Sequence, residues 1–436
     1  MLRIHCNPPG FTALTALVLA LPATGVRAAP AAPDTLSPGF VPHAARPVGA
    51  FDAYATLPNS DRIVSDGTTV WREADDGTVL LVLGTFPAPV FASFVLPDPT
   101  STFALVGESS NGEIYRVELA GGGFNFLCDL DYNFDARFED AGHVLVSAAT
   151  CGFMCGNEIH RVDLANGGTT LVAVVSGPSG PLARAANGDL YYGVNPDWPA
   201  TTGSIIRWSA AQVSSGTLLT EAAAAILASG IDPASSMELE PVFGNLFVTQ
   251  PVFGNTSHVR EYTPDGQLRG IVAASPEYLS GVEFLRTTGI GSFQAFQPAG
   301  VRLLYRATDY SANTSAVRSV RPRRPRASTS GPGLTGPGIV TIQVKDALPN
   351  ASISLLMGAT AHYDANEATY DRGYFLFHTG MPLTGIRPLG TVTTDSNGDG
   401  SFQWVNRGGL QGTRVFQALI RDATGRLIGS STAAFN

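Results

Sequence analysis

A short segment with an arginine set among apolar residues recurs six times in this 436-residue chain. It reads Val70-Trp71-Arg72-Glu73, Glu113-Ile114-Tyr115-Arg116-Val117, Ile159-His160-Arg161-Val162, Ile206-Arg207-Trp208, Val259-Arg260-Glu261-Tyr262 and Leu304-Tyr305-Arg306. Arginine to arginine, the spacings are 44, 45, 46, 53 and 46 residues. That period suits a radially repeated four-stranded sheet far better than a helical repeat. The fold class expected is all-β: a six-bladed β-propeller over residues 50–320, then a β-sandwich of Ig-like type over 339–436.

Strand signals fill each period. Blade 2 reads as Val90 to Val95, Phe103 to Val106, Ile114 to Leu119 and Phe124 to Leu127, and blade 3 repeats the order from Asp135 to Val175 with turns at Asp140-Ala141-Gly142 and Ala165-Asn166-Gly167-Gly168. Their Gly and Asn residues suit the positive backbone angles of tight hairpins. In blade 1, Phe51 to Leu57 is either the inner strand or a strand closing the ring. In blade 4, Ser209 to Val213 suits one helical turn, and Ala222 to Ala228 suits a helix or an outer strand. Blade 6 is read as Val282 to Leu285, Ser292 to Phe296, Arg302 to Ala307 and Ala316 to Val320. The low charged fraction of 14% with 48 Gly and 30 Pro fits many short strands joined by turns.

Residues 1–28 read as a secretory signal peptide: Arg3 and His5, an apolar run from Phe11 to Leu21, and Val26-Arg27-Ala28 before cleavage. Its removal takes two arginines and moves the formal charge from −9 to −11, which disfavours nucleic-acid binding. No later apolar stretch reaches spanning length, so no membrane span is expected and the location is secreted, extracellular or periplasmic. Residues 29–49, rich in Ala and Pro, read as an exposed leader. Residues 321–338, basic and rich in Pro and Gly, read as a linker. In an exported chain Cys151 and Cys155, flanking Gly152-Phe153-Met154, are expected to form a disulfide and Cys128 to stay free.

In a propeller the connections from second to third strand and from blade to blade share one face. There they include Ala149 to Asn157, Asn195 to Ser204 and Pro251 to Ser257, whereas the turns of the opposite face read as short. Long loops on a rigid scaffold carry binding, so Trp198, Phe253, Phe153 and Tyr132 are candidate stacking surfaces for a glycan or a protein side chain. Inner strands place Arg137, Arg184, Asp135, Glu139, Glu238, Glu240 and Glu283 near the channel. Glu238, Glu240 and Glu283 are the candidate catalytic acids, able to act with a divalent cation such as Ca2+. The competing expectation is a wet channel in which the acids pair with Arg137 and Arg184. The repeated arginines are expected to brace the blades, with packed stems and guanidiniums turned to a neighbouring blade or to water.

His143, His160 and His258 have no nucleophile motif beside them, so no triad is expected. Asp395-Ser396-Asn397-Gly398-Asp399-Gly400 opens like a calcium loop, but Asn406 stands where the bidentate acid belongs, and a hairpin turn is expected instead. Three sequons begin at Asn255, Asn313 and Asn350.

With its Gly188-Asp189-Leu190-Tyr191-Tyr192 and Glu113-Ile114-Tyr115-Arg116-Val117 segments, the region 50–320 resembles the six-bladed propeller superfamily that includes gluconolactonase-like and NHL-repeat proteins. The resemblance implies a channel metal site built from a glutamate, asparagines and an aspartate. Glu238 or Glu283 would stand in for an acid, and no asparagine of this chain aligns to the other positions. The tail, with Gly390-Thr391-Val392 and Phe416-Gln417-Ala418-Leu419-Ile420, looks like the β-sandwich modules that end bacterial secreted proteins, implying attachment or interaction. Two functions follow as expectations: a secreted binding or scaffold protein, or a secreted hydrolase or lyase acting through channel acids and a divalent metal.

Overall fold

The protein is described from a computed structural model. The described residues are 34–37, 40–149, 156–196, 201–240, 244–285, 302–322, 326–331, 337–345, 347–348, 350–358, 369–371, 376–378, 387–407, 414–421, 427–429 and 433–435. Residues 1–28, expected to be a signal peptide, lie outside them.

Five sheets follow chain order from the inner strand outwards. Blade 1 comprises Ala53–Thr56, Arg62–Ser65, Thr69–Glu73 and Val79–Thr85; blade 2, Ala92–Pro97, Phe103–Glu108, Glu113–Glu118 and Phe124–Asp129. Blade 3 comprises Asp135–Phe138, His143–Ala148, Asn157–Asp163 and Thr169–Val175; blade 4, Leu182–Arg184, Leu190–Val194, Gly203–Trp208 and Ala225–Ile231. Blade 5 comprises Ser236–Leu239, Leu246–Gln250, Ser257–Tyr262 and Leu268–Ser275. Second strands are buried almost throughout, as in Phe103–Glu108 and Leu246–Gln250, because each lies in mid-sheet with a neighbouring blade on either face.

Blade 6 corrects two expectations and settles one open alternative. Its strands are Tyr278–Leu285, Arg302–Asp309 and Thr314–Pro322, and its outermost strand is Phe40–Val48. The described part of the segment 29–49 is therefore no exposed leader: Thr35 and Leu36 pair with Ala274 and Ala273 of blade 5, Phe40 pairs with Pro322 and Val48 with Ser315. An outermost strand needs ladder hydrogen bonds on one side only, so Pro42 and Pro47, which made the segment look unstructured, are tolerated there. Arg302–Asp309 occupies the second position, not the third, and Ser292 to Phe296 lies outside the described residues. Phe51 to Leu57 contributes blade 1's inner strand, while the strand that closes the ring is the one before it.

Buried side chains between successive blades form the core. The junctions from blade 1 to blade 6 bury 14, 12, 13, 10 and 11 apolar residues in turn. Across the closing junction of blade 6 with blade 1 the described residues gather Leu285, Leu304 and Val317, with Val48 and Tyr54 against them. In blade 4 the expected helical turn is present at Ala210–Val213, capped reciprocally by Ser209 and Gln212. Ala225–Ile231 settles the open alternative as an outer strand.

The segment 321–338 is not wholly a linker. Arg321 and Pro322 finish blade 6, and Arg326–Ser330 pairs with Gly338–Lys345, which pairs with Gly400–Asn406. A second sheet orders Arg387–Thr393, Ser352–Gly358 and Arg414–Arg421, with Leu427–Gly429 and Ala433–Phe435 on the last. Alternate residues Val340, Ile342 and Val344 of the first sheet meet Ile353, Leu355, Phe416 and Ala418 of the second, which makes a sandwich core. The turn Asp395–Asp399 closes with Asp395 N–H donating to the Asp399 carbonyl at 2.8 Å. It joins strands of different sheets, so it is a crossing turn rather than a hairpin.

Candidate functional site

Arg137 organises the channel. Its Nη1 donates to Asp135 Oδ1 and to the Ala136 carbonyl, both at 2.7 Å, and its Nη2 donates to the Met237 carbonyl at 2.8 Å while lying 3.6 Å from Glu238 Oε2. A side chain from blade 3 thus reaches the inner strand of blade 5, past blade 4. Asp135 completes the tie, because Oδ2 accepts from Leu182 N–H at 2.8 Å. Burial works against the Arg137 charge, but Asp135, Glu238 and Glu283 overcome it and hold the guanidinium above its ordinary value. The expected pairing of channel acids with Arg137 is present for Asp135 and Glu238.

Glu283, on the inner strand of blade 6, is held from blade 1. Thr56 Oγ1 donates to Oε1 at 2.6 Å and Thr56 N–H to Oε2 at 3.1 Å. Burial raises its carboxyl to about 7 against the pull of those hydrogen bonds, and the Glu238 charge pushes the same way as burial. A carboxyl in that range can give or take a proton near neutrality.

Two candidates belong elsewhere. Glu240 lies beyond its strand in the turn that its N–H closes onto the Asn245 carbonyl, and only 1% of it is exposed, so it does not share the channel with Glu238. Arg184 ends a strand of three residues and points to Glu139, 3.9 Å away, on the face opposite the candidate binding loops. Glu139 in turn accepts from Arg161 Nη2 at 2.8 Å.

That example is general for the repeated arginines. Arg72 Nη2 donates to Asp61 at 2.6 Å and Arg207 stands 4.0 Å from Asp189, each acid sitting in the turn between the first two strands of the same blade. Arg116 meets Glu118 and the Phe103 ring, Arg260 meets Gln250, and Arg306 meets Ser280. Most brace their blade from within, but Arg161 also donates to the Val213 carbonyl of blade 4 at 3.4 Å and Arg306 to the Asp52 carbonyl that leads into blade 1.

On the candidate binding face, Phe253 is 75% exposed and begins a chain of rings that composition could not show. Its centroid lies 4.8 Å from that of Tyr278, which lies 5.5 Å from Tyr310; Tyr310 lies 6.0 Å from Phe51, and Phe51 5.9 Å from Phe91. Each ring sits where a strand begins or in a connection of blades 5, 6, 1 or 2, so the arc follows the channel mouth. Phe51, Phe91 and Tyr310 are each about half exposed. Only Phe253 of these five was singled out from sequence; the others stand one per connection, tens of residues apart, and only ring closure brings them together. Tyr132 stands in the connection of blades 2 and 3 with φ 53° and is 38% exposed. Trp198, Phe153, Cys151 and Cys155 lie outside the described residues.

The loop asymmetry is not as expected. The opposite face carries the connection 209–224 of blade 4, which is not short, with its helical turn. Exposed rings, rather than loop length, distinguish the candidate binding face.

Among the described residues no three His, Cys, Asp or Glu side chains are grouped to hold a metal ion, and no helix is long and apolar enough to cross a membrane.

No family model and no curated protein matches the chain. Among solved structures it is similar to a calcium-binding protein, regucalcin, from Agrobacterium tumefaciens, at 15% identity, covering 64% of this chain and 95% of that one with a TM-score of 0.44. A luciferin-regenerating enzyme is similar at 11% identity over 64% and 95%, TM-score 0.45, and a nidogen/laminin complex at 12% over 62% and 92%, TM-score 0.39. At these scores the fold rests on the sheet topology itself. The class it defines is an all-β six-bladed propeller followed by a β-sandwich.

Proposed function

We propose that this is an exported binding or scaffold protein that takes a polysaccharide or a protein surface across the aromatic arc at the channel mouth, with the C-terminal sandwich serving attachment. The observation that carries the proposal is the run of rings from Phe253 to Phe91. Water leaves exposed rings poorly solvated, and a monomer rarely exposes a contiguous apolar patch without a partner for it. Rings at such spacing offer successive stacking platforms to a sugar chain or slots for side chains of a protein. The test measures retention of the full chain on insoluble polysaccharides and on proteins of the native secretome. Phe253→Ala with Tyr310→Ala is expected to abolish retention while leaving the unfolding midpoint in place. Undiminished retention would remove the arc from the site.

A second function rests on Glu283. Its carboxyl, titrating near neutrality beside Glu238 and Arg137, supports a hydrolase or lyase in which Glu283 acts as general acid or base. Glu283→Gln would then abolish turnover of a lactone or polysaccharide substrate without affecting retention on the ligand. Turnover retained in that variant would exclude the role.

A further inference from the structure

The closing junction of blades 6 and 1 is poorly filled with apolar side chains and rich in arginine. Among the described residues, the other junctions bury ten or more apolar residues and this one three. A small, solvent-open cleft of about 30 Å³ lies there, lined by Arg46, Arg62 and Arg302 with Ser60, Thr56 and Asp75 among its walls.

Register explains why the arginines converge. Leu304 pairs with Ser319, and Leu303 with Val320, so the next step sets Arg302 opposite Arg321 on the face of blade 6 that carries Leu304 and Ser319. The closing strand adds Arg46, which pairs with Val317 on that face. Blade 1 supplies Arg62 from the other side. Two like charges directly opposite on neighbouring strands repel, and among the described residues neither Arg302 nor Arg321 has an acidic partner. The connection 286–301 contains no acid in its sequence.

The acids present are committed. Glu73 takes Arg62 Nη2 and accepts from Trp71 Nε1 at 3.0 Å. Asp75 takes Arg46 but is 61% exposed at its side chain, where water screens it, and Asp76 lies farther out in solvent. Arg62 is only 4% exposed, yet its Nε and Nη1 find no hydrogen-bond partner, and neither does the buried Nε of Arg321. Buried guanidinium donors without acceptors are costly, and the cleft that Arg62 lines is where an acceptor can enter. Burial first, then Arg321, lowers Arg302; burial first, then Arg62, lowers Arg46.

We propose that this cleft binds one small tetrahedral oxyanion, phosphate or sulfate, between Arg302, Arg46 and Arg62. Its oxygens match forked guanidinium donors, and its charge relieves the Arg302–Arg321 repulsion. Arg46 belongs to the strand that closes the ring, Arg302 to the rest of blade 6 and Arg62 to blade 1, so the anion would fasten the closure where apolar packing is thinnest. This inference does not depend on the aromatic arc, which lies on the opposite face.

Calorimetric titration of the full chain with inorganic phosphate and with sulfate, at ionic strength held constant by chloride, tests it. One saturable site is expected for at least one of the two anions, together with a saturating rise in unfolding temperature. Arg302→Gln and Arg46→Gln should each weaken binding about tenfold or more, and Arg116→Gln, on blade 2, should not. General salting-out stabilisation grows without saturation and would be equal in all variants. No saturable binding of either anion, or binding unchanged in folded Arg302→Gln, would overturn the proposal.

Discussion

Thr56 grips both carboxylate oxygens of Glu283, through its hydroxyl at 2.6 Å and its N–H at 3.1 Å, and so joins the inner strands of the first and last blades. The grip holds a carboxyl that burial has lifted to about 7 from an ordinary 4.5. Between those values the native state keeps a proton that the unfolded chain has lost. Stability therefore falls as pH rises from about 4.5 through about 7, and the group's contribution is fully present only below that window. Glu283 is partly buried, so the loss is roughly 1–3 kcal/mol. Denaturant unfolding at several pH values should show this slope in the native chain and a flatter one in Glu283→Gln, whose amide does not titrate. Equal slopes would show that Glu283 titrates normally.

Asp34 ties the start of the described chain to blade 6. It accepts from Tyr305 Oη at 2.5 Å and pairs with Arg318, which also holds Glu277 at 2.6 Å. Asp34→Ala leaves the Tyr305 hydroxyl without an acceptor in a buried setting and Arg318 Nη1 with only the longer bond to Ser275 Oγ at 3.3 Å. A cost of about 2–3 kcal/mol is expected, read as a shift in denaturant midpoint, and Asp34→Asn, which keeps an acceptor oxygen, should cost less. If both cost the same, the acceptor is not what matters.

How far the sequence discloses this molecule depends on the range of the interaction concerned. Blade period, strand order in blades 2 and 3 and the helical turn at Ser209 to Val213 are local patterns, and each is found in place. Phe40–Val48 was misread because an edge strand need not exclude proline, and its partner lies some 270 residues away in sequence. Arg137 was legible as a channel residue, but its reach to Met237 was not. The same holds for the arc: Tyr278, Tyr310, Phe51 and Phe91 are unremarkable singly and become a surface only through closure of the ring. Arg184 failed for a simpler reason, since a strand of three residues turned its last side chain to the far face.

The bracing arginines should differ among themselves in proportion to burial. Glu139, 11% exposed at its side chain, depends on Arg161, with Arg184 no nearer than 3.9 Å. Arg161→Ala should cost roughly 1–3 kcal/mol because it strands that carboxylate, and Glu139→Gln in the same chain should recover part of the loss. Arg116 and Glu118 are each more than a third exposed, so Arg116→Ala should cost less than about 1 kcal/mol, the Phe103 contact included. Equal losses at the two sites would mean that burial does not set the strength of these pairs.

Cys128 offers a test of native packing that needs no ligand. Its thiol lies in the apolar cluster between blades 2 and 3 with Leu105, Leu130 and Val144, and only 6% of the residue is exposed. Burial first, then the neighbouring Asp129 charge, pushes the thiol up to about 12, so almost no thiolate exists near neutrality. Since the thiolate is the nucleophile, iodoacetamide at pH 8 should leave Cys128 unmodified in the folded chain and label it fully in denaturant. Cys151 and Cys155, expected to be bonded to one another, should label only after reduction. Peptide mapping separates the three positions. Rapid native labelling of Cys128 would show that the interface of blades 2 and 3 opens at its outer strand far more readily than a buried cluster allows, and a disulfide from Cys128 to either other cysteine would contradict its place in that cluster.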